Sequence, residues 1–368
     1  MKRALIAMSG GVDSSVAAAL MIKQGYECIG ATMKLHDAVE NMEANEEGAC
    51  DKEGKTCCSL DDILDAKSVA SRLNMRHYVM NFKDDFKCNV IDKFVESYLK
   101  GITPNPCIDC NRNLKFERLY RRAQELGCDV IVTGHYARIR YNEETNRYEL
   151  MKAVDSSKDQ SYVLYNLTQE QLAHTVFPLG EYTKDEIRAM AQEMGFINAK
   201  KHDSQDICFI PDGNYKRFIE EYSGQKCEPG NFVDESGKIL GQHTGICNYT
   251  IGQRKGLGIS FSSPLFVKEI RVKENEIVLS DNDALFTDSL LASDFNWISK
   301  PKPGASEEYV VEGKVRYKHN PAKASCKLED ENVRVTFEEA QRAITCGQAV
   351  VLYDGDIVVG GGTIISTR

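Results

Sequence analysis

The sequence predicts an α/β protein: an N-terminal open parallel sheet with helices on both faces, then a small central domain, then a C-terminal β-barrel. Three observations predict it. Short apolar runs alternate with helix-length segments from Ala4 to Gly134. The stretch from Gln225 to Ile259 is rich in Gly and holds short strands at best. From Ile270 onward short alternating runs are split by turns, with no long helix, as a small barrel requires. The expected domain limits are 1–205, 206–272 and 273–368.

Taken in order, Ala4–Met8 is a short apolar strand and Ser14–Gln24 a helix that stops at Gly25. Glu27–Leu35 is the second strand. His36–Cys58 is polar, acidic and long enough to expect a lid or flap. Ser59, with Asp62 three residues on, is expected to cap the next helix. Arg76–Phe82 reads as a strand, Lys83–Lys100 as an amphipathic helix, Asn111–Leu126 as another helix and Cys128–Gly134 as a strand. This is the rhythm of an open doubly wound sheet. A hairpin follows around residues 142–146, then helices at 168–175 and 183–194, the latter with Thr183 and Glu186 as a capping box. The clearest C-terminal strands are 309–317, 324–328, 332–337, 349–353 and 357–366.

A chain of 368 residues suggests two or three domains. No stretch approaches the roughly 20 apolar residues a membrane helix needs. The apolar run after Met1-Lys2-Arg3 is too short for a signal peptide, so a cytoplasmic protein with no membrane partner is expected. Thirteen cysteines, an odd number, fit that compartment, and those in apolar segments (Cys28, Cys128, Cys247, Cys346) read as small buried hydrophobes. The Cys57–Cys58 pair reads as a partly buried anchor of the acidic loop, with a redox or metal role as the alternative. A net charge of −9 argues against a non-specific nucleic-acid binder. A local basic face remains, because Arg112, Lys115, Arg118, Arg121 and Arg122 meet only Glu117 in their segment.

Ser9-Gly10-Gly11-Val12-Asp13-Ser14-Ser15 joins the first strand to the first helix. Its glycines allow close backbone approach to a phosphate, and the helix N-terminus aims N–H groups at an anion. Asp13 would repel that phosphate unless Mg²⁺ lay between them, which makes it a candidate metal ligand. The segment is no Walker loop; it resembles the SGGxDS signature of the pyrophosphatase-loop family. That resemblance implies ATP cleaved between its α and β phosphates, with AMP passed to a substrate oxygen.

Cys107 and Cys110 lie in a polar turn between two helices, with Asp109 or Asn111 able to cap the second, and Cys208 lies in another polar turn. A thiol near a helix N-terminus is biased toward thiolate. Three readings stand: a sulfur-transfer pair of Cys110 and Cys208; zinc or an iron–sulfur cluster on Cys107, Cys110 and Cys208; or structural cysteines.

Over nearly its whole length the sequence closely resembles the bacterial tRNA-specific 2-thiouridylases. The matching segments, in order, are SGGVDSSV, TPNPCIDCNRNLKF at Thr103–Phe116, VTGHYAR at Val132–Arg138, KDQSYVL at Lys158–Leu164, DSQDICFI at Asp203–Ile210 and IGQRKGLGI at Ile251–Ile259. The resemblance implies ATP, with Mg²⁺, adenylating the C2 oxygen of the wobble uridine in the anticodon loop. It implies that Cys208 carries a persulfide supplied by a cysteine desulfurase or sulfur-relay protein, and that Cys110 is the nucleophile that resolves it, leaving a Cys110–Cys208 disulfide. Carried over by position, Ala7, Met8, Ser9, Gly10, Gly11, Val12, Asp13, Ser14, Met33 and Gly134 line the ATP site. His135, Lys158, Asp159, Gln160, Arg316, Tyr317 and Gln348 match tRNA contacts. The family commonly has Asp where this chain has Cys107. That change makes a [4Fe–4S] cluster on Cys107, Cys110 and Cys208 the variant mechanism. Other adenylating ligases of the loop family, or an RNA-binding module with structural zinc, are the rival readings.

If Arg316 grips tRNA, Arg316→Glu weakens tRNA binding and leaves ATP binding intact. Filter binding and nucleotide titration check this, and unchanged tRNA affinity would contradict the assignment.

Overall fold

The computed structural model describes residues 1–36, 60–201 and 207–367. The long acidic loop, its Cys57–Cys58 pair, Ser59 and the polar turn at 202–206 lie outside the described residues. The chain divides into two compact units, Met1–Val90 with Cys107–Gly213, and Ile91–Pro106 with Asn214–Arg368. No helix among the described residues is long and apolar enough to cross a membrane.

The first unit opens with β1 (Arg3–Ala7), α1 (Val12–Lys23), β2 (Glu27–Lys34), α2 (Leu60–Arg72) and β3 (Arg76–Asn81). Next come α3 (Lys83–Phe86), a π-helical turn (Lys87–Ile91) and α4 (Asp92–Leu99), the last lying in the second unit. Then α5 (Pro106–Asp109), a longer π-helical segment (Cys110–Arg118) and α6 (Leu119–Glu125) form one unbroken helical run. After β4 (Val130–Val132) come the hairpin β5 (Arg138–Asn142) and β6 (Arg147–Met151), then α7 (Gln169–Ala173), β7 (Thr175–Val176) and α8 (Lys184–Glu193). The sheet order is β3-β2-β1-β4-β7, and every pairing is parallel. The chain steps outward from β1 to β2 and β3, then returns to β1's other edge with β4. The strand order therefore reverses between β1 and β4, the switch point at whose carboxyl ends open α/β sheets bind their ligands.

Burial explains the strand and helix composition. Ala4, Leu5 and Ile6 are fully buried, as befits a central parallel strand covered on both faces. Helix α1 buries nine of its twelve residues, and small Ala17, Ala18 and Ala19 let it lie close against its neighbours. The Thr183–Glu186 capping box forms as expected, and Thr168 with Gln171 makes a second one. One local expectation is corrected. The helix expected to begin at Asn111 begins at Pro106, because proline's fixed φ suits the first helical position. Asp109 is therefore helical, with φ −62° and ψ −41°, and the Asn111 side chain bonds elsewhere, so neither caps that helix.

In the second unit, α9 (Tyr215–Ser223) is capped by the Asn214 side chain and packs on α4, with Tyr98 and Tyr215 stacked at 6.1 Å. The Gly-rich stretch is better ordered than the sequence implied. Strands β8 (Gly230–Val233), β9 (Ile239–His243), β10 (Phe266–Arg271) and β11 (Glu276–Ser280) form one sheet in the order β10-β11-β8-β9. Phe232, Val267 and Ile277 are fully buried in its core. Cys247 is corrected: it forms a disulfide with Cys227 instead of packing as a free thiol. The remaining strands are β12 (Phe286–Trp297), β13 (Glu308–Lys314), β14 (Ala322–Glu329), β15 (Asn332–Arg342), β16 (Ala349–Asp354) and β17 (Ile357–Thr367). Their order is β12-β15-β14-β13-β16-β17, and β12 also pairs with β17, which closes the six strands into a barrel. The long strand β12 escaped the sequence reading because Asp288, Ser289, Ser293 and Asp294 interrupt its apolar alternation.

Candidate active site

The loop after β1 is shaped by absent side chains. Gly10 has φ +73°, and a Cβ there would fall 2.3 Å from the Asp62 carbonyl oxygen of α2. Gly134, just past β4, would place a Cβ 2.9 Å from the Ser14 nitrogen. Glycine is thus required on both walls of the turn. Gly11 stands at the N-cap of α1 and offers no capping side chain, so the helix's first N–H groups remain for an anion. Hydroxyls brace the turn from inside: Ser14 and Ser15 donate to Gly11 O at 3.1 and 2.9 Å, and Ser9 N donates to Ser14 Oγ at 3.2 Å. Buried Asn198 donates to Gly10 O and Ser15 Oγ, each at 2.9 Å. At the top of β2, Thr32 donates to Met8 O at 2.7 Å, so it must accept the N–H of His77 Nε2 at 2.9 Å. Met33, the residue after Thr32, pairs with Met80 of β3.

Asp13 is met by a protein cation where the sequence suggested a metal. Lys184 Nζ lies 2.7 and 2.9 Å from its two carboxylate oxygens, and Tyr136 donates its hydroxyl at 2.8 Å. The Lys184 side chain is only 6% exposed. Sequence reasoning missed it, although a signal was present. Lys184 is the first residue of α8 after the Thr183 cap, the helix end where a cation is electrostatically unfavourable. A buried lysine there needs an anionic partner; Asp13 is one, and a phosphate on the α1 N-terminus would be another.

His135 is 8% exposed and sits between Phe116 and Phe177, with ring centroids 5.9 and 5.8 Å away. Its Nε2 is 3.5 Å from Lys115 Nζ and its Nδ1 is 2.6 Å from Thr133 Oγ1. An ammonium only donates, so Nε2 accepts and Nδ1 carries the proton. Burial, and then the Lys115 charge, push its pKa well below the usual histidine value. Both effects favour the neutral ring, with Lys115 beside Nε2 and Thr133 beside Nδ1.

The other sequence-predicted residues fall into separate settings. Asp159 accepts from Ala153 N, Ser161 N and Ser161 Oγ at 3.1, 3.2 and 2.8 Å, so its carboxylate organises its own loop. Gln160 and Tyr136 exchange two hydrogen bonds, and Lys158 is partly exposed between these anchors and solvent. In the second unit Arg316 donates to Arg342 O at 3.0 Å while Tyr317 is 36% exposed. Gln348 donates to the carbonyls of Thr103 and Pro104 at 2.9 and 3.2 Å, which ties the segment before Cys107 to the barrel. The basic stretch is partly neutralised by Arg118–Asp85, Arg121–Glu117 and Arg122–Glu125 pairs. Such exposed pairs are weak and exchange readily for phosphates.

Cys107 is exposed, Cys110 and Cys208 are partly exposed, and none of the three is in a disulfide. Among the described residues no three His, Cys, Asp or Glu side chains are grouped to hold a metal ion. By contrast Cys28 and Cys326 are raised to about 11 by burial, the profile of inert core thiols.

The fold and loop define an α/β nucleotide-binding domain followed by two β domains, and comparison with known proteins agrees. Family profiles match residues 2–212 as a tRNA methyl transferase HUP domain, 216–281 as a tRNA methyl transferase PRC-barrel domain and 287–364 as an aminomethyltransferase beta-barrel domain. The chain is 50% identical to a tRNA-specific 2-thiouridylase of Lachnoclostridium phytofermentans, covering 99% of this chain and 100% of that one. It is also 50% identical to those of Clostridioides difficile and Acetivibrio thermocellus, covering 99% of this chain and 98% and 99% of theirs. The chain belongs to the tRNA-specific 2-thiouridylase family.

Lys184→Met removes the cation beside Asp13 and raises KM for ATP roughly tenfold or more, the cost of about 1.4 kcal/mol of lost charge pairing. An unchanged KM would show that Lys184 serves only the fold. For His135, the folded pKa lies below the unfolded one, so its contribution is intact above about pH 6.5 and is lost as pH falls below that value. Denaturant titrations between pH 7 and 5 should show a shallower pH slope for His135→Phe, by up to about 1.4 kcal/mol per unit. Equal slopes would mean that the ring stays hydrated in the fold.

Proposed function

We propose that this protein catalyses ATP-dependent 2-thiolation of the wobble uridine of tRNA. The observation that carries it is 50% identity to tRNA-specific 2-thiouridylases over 99% of the chain, supported by the chain's own glycine turn at the N-terminus of α1. The α1 N-terminus and the glycine turn at Ser9–Ser14 hold the phosphates of ATP, Mg²⁺ arriving with the nucleotide. Lys184 holds Asp13 away from those phosphates and lends them positive charge. The uridine C2 oxygen attacks the α-phosphorus, pyrophosphate leaves, and C2 becomes electrophilic because AMP is a good leaving group. The terminal sulfur of a Cys208 persulfide, loaded by a cysteine desulfurase or relay protein, attacks C2 and expels AMP. Cys110 thiolate then attacks Cys208 Sγ; the S–S bond electrons pass to the sulfur left on C2, which becomes the thiocarbonyl, and a Cys110–Cys208 disulfide remains for an external dithiol to reduce.

Binding divides accordingly. The wobble base sits in a single-stranded loop and can be turned out at small cost. We assign the base-proximal contacts to His135 and Lys158–Gln160, with Lys115 beside the neutral His135 ring, and the distal grip to Arg316 and Tyr317 of the barrel. Gln348 supports Thr103 and Pro104. A substrate of this kind places the enzyme in the cytoplasm.

In this scheme Cys110→Ser still activates ATP in the presence of tRNA, seen as AMP and pyrophosphate formation, but yields no 2-thiouridine by nucleoside mass spectrometry. A Cys110→Ser enzyme with full thiolation turnover would remove the sulfur-transfer assignment and favour another adenylating chemistry.

A further inference from the structure

The helical turn that carries Cys110 is pinned by two buried amides. Asn111, 1% exposed, donates from Nδ2 to Val163 O at 2.9 Å. Asn166, 6% exposed, donates from Nδ2 to Ile108 O at 3.3 Å. One bond runs out from the turn and the other runs back to it, so the stretch Ile108–Asn111 is stitched to Val163–Asn166 on both sides of Cys110. In each case the partner is a carbonyl, which requires the NH₂ end of the amide to face it. Both Oδ1 atoms are buried and have no partner among the described residues, so the donor end alone makes each tie.

The anchoring segment is itself fixed. Val163 lies in the 3₁₀ turn Ser161–Leu164, which starts directly after Lys158-Asp159-Gln160. The buried Ser161 hydroxyl bonds Asp159, and Gln160 exchanges two hydrogen bonds with Tyr136. The Cys110 end of the helix is π-helical from Cys110 to Arg118, a geometry less self-sufficient than an α-helix and one that recurs at functional sites. Outside ties therefore decide where the thiol sits.

We propose that Asn111 and Asn166 are positioning residues for the Cys110 nucleophile, stitching its turn to the segment that continues from Lys158–Gln160. The inference rests on Cys110 acting as the nucleophile. Its test is Asn111→Leu and Asn166→Leu in the full chain, which keep roughly the size and lose the donor. Two rates are read: single-turnover thiolation with KM for tRNA, and alkylation of Cys110 by iodoacetamide without tRNA, followed by peptide mass spectrometry. The expected result is thiolation slowed about tenfold or more, with KM for tRNA within about twofold and AMP formation retained, because small misplacement of a reacting atom is costly. Cys110 alkylation should shift severalfold in the same variants. A purely structural role would lower Tm and leave both rates unchanged below it, and that result overturns the proposal. If either Leu variant does not fold, Asn166→Gln keeps the donor on a longer arm and is read by the same two rates, unchanged rates again overturning it. Wild-type protein that forms no 2-thiouridine would instead sink the functional reading, whatever the variants do.

Discussion

The structure turns on how closely the backbone after β1 is approached by its neighbours. Gly10 lies against the α2 carbonyl of Asp62, and Gly134 lies against the first turn of α1, each at a distance no side chain would allow. That crowding makes a turn with inward hydroxyls and outward N–H groups at the switch point of the sheet. It also brings Asp13, an acid that would spoil an anion site, within reach of Lys184. The ion pair offsets the acid's charge, and the Tyr136 hydroxyl donates to the same carboxylate. An open helix end together with a buried lysine is a strong combination for a polyphosphate.

Much of this was legible in the sequence because it is local. The strand–turn–helix around Ser9–Ser14 follows from glycine freedom and apolar periodicity, and the α/β rhythm follows from burial on both faces of a parallel sheet. The capping box at Thr183 was read from two residues. The barrel was legible as short alternating strands, although the polar interruptions of β12 hid one of its longest members. The helix start at Pro106 was less legible, because proline breaks a helix interior yet suits its first position.

Other features were not legible because they depend on long-range pairing. Lys184 is 171 positions from Asp13, and only its place at the wrong end of a helix dipole hinted at a partner. The Cys227–Cys247 disulfide joins cysteines 20 residues apart, one of which looked like a buried hydrophobe. Gln348, matched by position to a tRNA contact, reaches back 245 and 244 positions to the carbonyls of Thr103 and Pro104. The two asparagines that stitch the Cys110 turn are equally silent, since an isolated Asn carries no pattern that predicts its partner.

In the proposed chemistry sulfur passes from a Cys208 persulfide directly to C2 of the uridine, and Cys110 frees it there by forming a disulfide with Cys208. One measurement addresses it directly. Protein purified without oxygen and loaded with persulfide is given ATP and tRNA for one turnover, then quenched and mapped by mass spectrometry with iron assayed in parallel. The account predicts one Cys110–Cys208 disulfide for each 2-thiouridine formed, in iron-free protein. Formation of 2-thiouridine with both thiols intact, in protein carrying about four irons whose removal abolishes turnover, would contradict it and place Cys107, Cys110 and Cys208 on a cluster.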